Sequence, residues 1–225
     1  MPKAKTLPPV ATRSRGRPVK SEADQAAIRN RILDAAEAAY AEGGYHELTV
    51  QAILLKAELS RPTFYRHFSN VDEPIQQVIL RTHQGLLDRL AARIPRDASV
   101  AEKMVNAIDF YLDWCKNIGV LLKPFYNELH DPVSPVSSLR QDVLARIGDF
   151  YVKTMTYSGN PPRNRLLVDL MVTGIEYLGY RFYLETRRDA AALRTTRDAM
   201  LRLMACTFDN PEQWLRMLRR KKLID

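Results

Sequence analysis

Apolar residues recur at intervals of three and four along most of the chain, and glycine and proline divide that recurrence into segments of helical length. Ile28, Ile32, Ala35, Ala36 and Ala39 form one stripe, closed by Gly43 and Gly44, which predicts a first helix over about 24–42. Ile75, Val78, Ile79, Leu86 and Leu90 predict a helix ending near Pro95. Val100, Met104, Ala107, Ile108, Tyr111, Cys115 and Ile118 predict another ending at Gly119. Leu139, Val143, Ile147, Phe150 and Thr154 continue the pattern. Pro161 and Pro162 open a long segment reaching about 187, since proline is tolerated in a first helical turn. The last helices are expected over 189–208 and 212–221. No segment alternates with period two, and there is no internal repeat, so the fold class is all-α.

The stretch from Leu48 to Phe68 reads as two short helices joined by a tight turn. Thr49 can cap the first, whose inward face is Val50, Ile53, Leu54 and Ala57. Leu59 plugs the turn, and Ser60 can cap the second. Phe64 and Phe68, four apart, point the second helix's apolar side inward. Arg61, Thr63, Arg66 and His67 are left on the other side, with Tyr65 at the margin. Donors at the start of a helix so anchored suit a helix-turn-helix, which lays its second helix in the major groove of DNA.

These residues resemble the DNA-binding domain of the tetracycline-repressor (TetR) family of bacterial regulators. The family pattern is Thr-Val-x-x-Ile-Ala, then Ala-Gly-Val-Ser-x-x-Thr-Leu-Tyr-x-His-Phe. It is met here by Thr49, Val50, Ile53, Ala57, Ser60, Thr63, Tyr65, His67 and Phe68, with Phe64 for the usual leucine. The resemblance covers about residues 24–80. Two departures stand out. Glu58 occupies the turn position where glycine is usual, so the turn either tolerates a side chain or is strained. Asn70-Val71-Asp72-Glu73-Pro74 replaces a family segment whose lysine meets a phosphate.

The resemblance implies a sequence-specific transcriptional regulator, a repressor that a small-molecule effector releases from a pseudo-palindromic double-stranded operator. Thr49, Ser60, Arg61, Thr63, Tyr65, Arg66 and His67 are the expected DNA contacts, with Arg61 and Thr63 on base edges. The family's later helices enclose an apolar effector pocket; Tyr111, Trp114, Phe125, Phe150 and Tyr177 are the residues chosen for it here, and Glu128, His130 and Glu176 are polar candidates. Two-fold operators call for a homodimer. Leu166, Leu170, Gly174, Leu178 and Phe182 on one segment, with Ala191, Ala199, Met200 and Leu203 on the next, are the faces expected to form a four-helix bundle between subunits.

Charge changes the picture at the ends. The chain has 225 residues and a net charge of +8, of which residues 1–22 hold +5 and residues 212–225 hold +3, so the body between them is neutral. Residues 23–70 themselves carry five basic and six acidic side chains. Residues 1–20, with four prolines and few apolar residues, are expected to be a flexible arm. Within them Arg15-Gly16-Arg17-Pro18 resembles the core of an AT-hook, in which Arg15 and Arg17 lie along a narrow minor groove. The expected organisation is a basic arm over 1–22, a helix-turn-helix domain over 23–70, and an effector-binding and dimerisation domain over 71–225.

Other chemistries find no support. Two cysteines, Cys115 and Cys206, without ligand-spaced partners exclude a disulfide or zinc framework and read as packed thiols. His46, His67, His83 and His130 are scattered, and hydrolase, zinc-protease and phosphate-loop motifs are absent, so no enzyme and no cofactor is expected. No apolar run approaches the length of a bilayer span and no secretory signal opens the chain, so a cytoplasmic protein with no membrane partner is expected. The alternative function is an architectural DNA-binding protein that uses its basic ends without sequence preference or ligand.

Overall fold

The computed structural model describes residues 21–184 and 189–225. Among these residues all regular structure is helical. α1 (Glu22–Glu47), α2 (Val50–Ala57), α3 (Arg61–Tyr65) and α4 (Asp72–His83) come first, followed by α5 (Leu86–Arg93), α6 (Val100–Ile118) and a short 3₁₀ turn. α7 (Leu122–Glu128), α8 (Pro135–Tyr157), α9 (Arg165–Leu184), α10 (Ala190–Ala205) and α11 (Pro211–Arg220) complete the fold.

α1 begins at a capping box in which the Ser21 hydroxyl accepts from the Asp24 amide at 3.1 Å and the Asp24 carboxylate accepts from the Ser21 amide at 3.1 Å. It runs past its expected end. Gly44, at φ 70°, breaks the helix, which resumes for one turn to Glu47. The Tyr45 amide freed by this break donates to Glu128 of α7 at 2.8 Å.

Two cores form. Ile32, Ala36 and Tyr40 of α1 pack with Ile53 and Ala57 of α2, Phe64 of α3, Phe68, and Ile75, Val78 and Ile79 of α4. Phe125 of α7 joins this first core, its ring 6.0 Å from Tyr40. The second core gathers Met104 and Ile108 of α6, Met155 of α8, Val168 and Met171 of α9, Met200 and Leu201 of α10 and Leu218 of α11.

The structure corrects several boundaries. The helix expected from Ile75 to Pro95 is two helices, broken at Gln84 and Gly85, whose φ of 66° glycine adopts without steric cost. The apolar spacing passes across the break unchanged and so conceals it. Pro161 and Pro162 do not open α9, because the Arg163 amide is taken by the Thr207 carbonyl at 2.8 Å. The helix starts at Arg165 instead, with the Asn164 side chain accepting from the Leu166 amide at 2.7 Å. α7 was not foreseen at all. Cys115 is a buried thiol as expected, and burial pushes it up to about 12; Cys206 is exposed, so it is not packed.

The tight turn between α2 and α3 resolves the question raised by Glu58, which adopts the left-handed region at φ 48°, ψ 47°. The only described partner of its side chain is Arg31, at 3.1 Å across an exposed surface. Left-handed backbone costs a side chain about 1–2 kcal/mol, whereas the added chain entropy of glycine and the loss of an exposed ion pair cost less together. Glu58→Gly is therefore expected to stabilise the fold by roughly 0.5 kcal/mol, seen as a higher urea midpoint. A lower midpoint contradicts this account of the turn.

Candidate nucleic-acid interface and effector cavity

α3 is only five residues long, so its position depends on what holds it from behind. Phe64 is fully buried and Phe68 nearly so, with ring centroids 5.9 Å apart. Arg29 of α1 closes the edge, donating to the His67 carbonyl at 3.1 Å with its guanidinium 4.4 Å above the Phe68 ring. The outward face is consequently fixed. Thr49 caps α2 as expected, accepting from the Ala52 amide at 3.1 Å. Ser60 occupies the N-cap position of α3, but its hydroxyl makes no cap bond. It pairs instead with the Thr63 hydroxyl at 2.9 Å, and the Arg66 guanidinium donates to that same hydroxyl at 3.0 Å. Two hydroxyls and a guanidinium are thus aligned on one side of α3.

Arg61 and Arg66 are exposed and form no ion pair among the described residues, and Arg61 has no hydrogen bond either. The domain's other cations are committed: Arg29 as above, Arg31 to Glu58, and Lys56 to Glu42 at 2.7 Å. Tyr65 is 49% exposed, its ring set edge-on against Phe64. His67 is half-buried. The acids that follow α3 are occupied as well. Asp72 accepts from the Tyr45 hydroxyl at 2.8 Å, and Glu73 accepts from the Ser69 amide at 2.9 Å, while the Asn70 side chain caps α4. Free positive charge on this face therefore lies on α3. Arg15 and Arg17 lie outside the described residues.

The second candidate site is an internal cavity of about 100 Å³ enclosed by α5, α6, α8 and α9. Tyr111, Trp114 and Phe150 line it, with Ile108, Leu144 and Ile147 among its aliphatic walls. Phe125 and Tyr177 do not. Phe125 faces α1 in the first core, and Tyr177 is 42% exposed on the outer side of α9, beside Tyr126. Of the polar candidates, Glu176 lines the cavity; Glu128 is instead tied to Tyr45, and His130 borders a separate surface groove. A wider groove of about 660 Å³ shares His83, Leu86, Val143 and Ile147 with the cavity, which marks the break between α4 and α5 as its mouth.

Sequence reasoning missed the residue that organises this cavity, because nothing in the spacing of Arg140 sets it apart from a solvated arginine on α8. Arg140 is 2% exposed. Its guanidinium pairs with the Glu176 carboxylate, donates to the His83 Nε2 at 2.7 Å and to the Phe125 carbonyl at 3.4 Å, and lies 5.1 Å from the Phe125 ring centroid. An arginine can only donate, so His83 accepts through Nε2 and carries its proton on Nδ1, which donates to the Ile79 carbonyl at 2.8 Å. Burial, then the Arg140 charge, push His83 down to about 4. Above its ordinary value near 6.5 the ring is neutral in both folded and unfolded chains; as pH falls toward 4, only the unfolded chain takes up the proton. Stability should therefore drop between pH 6.5 and 4, by roughly 1–2 kcal/mol more in the parent chain than in His83→Gln, compared by melting profiles. Parallel profiles would contradict this assignment.

The expected dimer faces are partly redirected. Leu166 and Leu170 are 75% and 64% exposed, and Tyr177 and Leu184 extend the same outer stripe of α9. Phe182 and Met200 are buried in the chain's own second core. Gly174 serves a contact within the chain, since a Cβ there would stand 3.0 Å from Leu203 of α10.

Residues 32–73 match the family model for "Bacterial regulatory proteins, tetR family". That match falls on the segment from α1 to the start of α4, which holds the helix-turn-helix. A 61-residue segment is 36% identical to the HTH-type transcriptional regulator UidR of Escherichia coli K12; the match covers 27% of this chain and spans 31% of that relative. Among solved structures, a tetR-family regulator from Streptomyces coelicolor superposes with a TM-score of 0.65 at 19% identity, covering 87% of this chain and 88% of the other. A bacterial regulatory protein of the tetR family from Rhodococcus RHA1 superposes with a TM-score of 0.62 at 17% identity, covering 77% and 95%. At such identities the structural likeness establishes the shared all-helical fold. Among the described residues no helix is long and apolar enough to cross a membrane.

Proposed function

We propose that this chain is a tetR-family, homodimeric, sequence-specific DNA-binding repressor, acting in the cytoplasm, whose grip on a pseudo-palindromic operator is released by a small molecule in the cavity. The observation that carries the reading is the outward face of α3. There Ser60, Thr63 and Arg66 are aligned by their own hydrogen bonds, beside Arg61, which has no ion pair among the described residues, while Phe64 and Phe68 fix the helix from behind. Thr49, Tyr65 and His67 flank this face and are assigned to phosphates, and Arg61 and Thr63 to base edges. The three parts are the arm over 1–22, the reading head over 23–70, and the effector and dimer unit over 71–225.

Release is supported by the course of α4. Its first turn is bound to the reading head through Asp72 and Tyr45, and its last residue, His83, lines the cavity. A ligand that displaces His83 therefore displaces a helix that shares the first core with Phe64 and Phe68. The exposed stripe of Leu166, Leu170, Tyr177 and Leu184 is the surface that a second copy would cover, setting two α3 helices about 34 Å or a multiple apart on one face of DNA.

The test is selection of bound fragments from genomic DNA by the full chain, then competition with random DNA. A specific repressor retains its selected site, with a footprint of two half-sites, against a large excess of competitor. Equal competition by random DNA would instead support the architectural reading. Arg15 and Arg17 are assigned to the minor groove beside the operator. Removing residues 1–20 should weaken operator binding about tenfold or more and flatten its salt dependence, since fewer counterions are released. An unchanged affinity and slope would remove the arm from the account.

A further inference from the structure

One side chain of the cavity wall carries a polar atom without a partner among the described residues. Glu176 is 4% exposed, its Oε1 is taken by Arg140, and its Oε2 is buried without a hydrogen-bond partner among the described residues. Leaving a carboxylate oxygen dry is costly, so the site favours a group that donates to it. The charges around it are already balanced. Arg140 is neutralised by Glu176, and His83 is held neutral by the proton on Nδ1 and the guanidinium against Nε2. A ligand anion would face the Glu176 carboxylate beside a guanidinium whose charge that carboxylate already balances, whereas a ligand cation would add an unbalanced buried charge. The remaining wall is aromatic and aliphatic, with Tyr111, Trp114 and Phe150 facing the space. Its volume of about 100 Å³ is of the order of the engineered cavities of roughly 150 Å³ that hold benzene.

Building on the proposed effector role of this cavity, we infer that it takes a neutral, largely apolar ligand of single-ring size bearing one hydroxyl group, and that this hydroxyl donates to Glu176 Oε2. The walls supply affinity through burial of the ring, and the orphaned oxygen supplies selection. The ring lies among the three aromatic side chains. Any substituent opposite the hydroxyl leaves through the mouth at the break between α4 and α5, where the wider groove begins.

The test uses the full chain and two probes of nearly one shape, 1-phenylethanol, which can donate, and acetophenone, which cannot, with benzoate as the anion. Binding is followed by calorimetry and by the shift in melting temperature. The alcohol should bind at least about tenfold more tightly than the ketone, because one hydrogen bond to a buried carboxylate separates them, and benzoate should not bind. Leu144→Trp, which fills the cavity, should abolish the binding. Glu176→Gln places an amide where Oε2 stood and should erase the preference for the alcohol. The parent chain's choice between the two probes stands even if that variant folds poorly. Equal affinities, a preference for the ketone, tight binding of benzoate, or alcohol binding that survives in a folded Leu144→Trp would overturn the inference. If neither neutral probe binds, the inference falls, and the effector role is lost only if no small molecule releases the selected operator. If the alcohol is preferred yet leaves the selected operator fully bound, the effector role alone is lost.

Discussion

Replacing Arg61, Thr63 and Tyr65 together with alanine should lower affinity for the selected operator by at least about a hundredfold, since each well-placed contact to a base or phosphate carries on the order of 1–3 kcal/mol. The chain should stay folded. None of the three contributes to the buried core, whereas Phe64 and Phe68, which do, are retained. Substitutions on an exposed face ordinarily change stability by no more than about 0.5 kcal/mol each. Thr63 is the most connected of the three, because its hydroxyl holds both Ser60 and Arg66. Its loss should also release the Arg66 guanidinium from its set position, which adds to the effect on binding and takes little from the fold. Residual attraction to random DNA should persist through the basic ends, so the ratio of specific to random binding falls further than overall affinity. Operator titrations at fixed salt, with the melting temperature as control, check this. Undiminished operator affinity in a folded triple variant would remove α3 as the reading helix.

The largest effect on stability is expected at Arg140. Replacing it with methionine leaves the Glu176 carboxylate buried without its partner and takes the donor from His83, which should cost about 3–5 kcal/mol. A typical domain has only about 5–15 kcal/mol in total, so the variant would be close to unfolding. Burial already pushes the Glu176 carboxyl upward, and the Arg140 charge opposes that shift. Without the guanidinium, the upward push of burial loses the charge that opposes it and favours the neutral carboxyl more, which moderates the loss. Arg140→Met combined with Glu176→Leu removes both charges at once and should recover most of the stability, because a buried ion pair exchanged for apolar side chains of similar size is often neutral. Urea unfolding of the single and double variants measures the difference. A cost below about 1 kcal/mol for Arg140→Met would show that the pair is not what holds α8 to α9.

The reading head was largely legible in the sequence because its determinants are local. Thr49 caps the helix that follows it, Ala57 and Leu59 bracket a turn, and Phe64 and Phe68 lie four apart on one side of a helix. Each relation spans only a few residues. Ser60 marks the limit of such reasoning. A serine before a helix suits a cap, yet here its hydroxyl found the Thr63 side chain, a choice made by rotamers rather than by residue type.

The later helices were less legible. Three of the five aromatic residues chosen for the cavity, Tyr111, Trp114 and Phe150, line it, while Phe125 packs toward the reading head and Tyr177 faces outward. Helical periodicity identifies an apolar face but not the neighbour that covers it. For the same reason Phe182 and Met200, candidates for a surface between subunits, lie inside their own chain, and the break at Gly85 is hidden by apolar residues that keep their spacing across it.

Residue order alone therefore determined the all-helical class, the position of the helix-turn-helix and the polar side of its second helix, since these follow from intervals of three and four and from the conformational preferences of Ser, Thr, Gly and Pro. Only the folded chain decided that Arg140, Glu176 and His83, drawn from three different helices, share one buried wall, and that α4 links that wall to the reading head. Contacts between residues 36 and 57 positions apart in the chain leave no trace in local spacing, because they depend on how whole helices pack rather than on the preferences of any one segment.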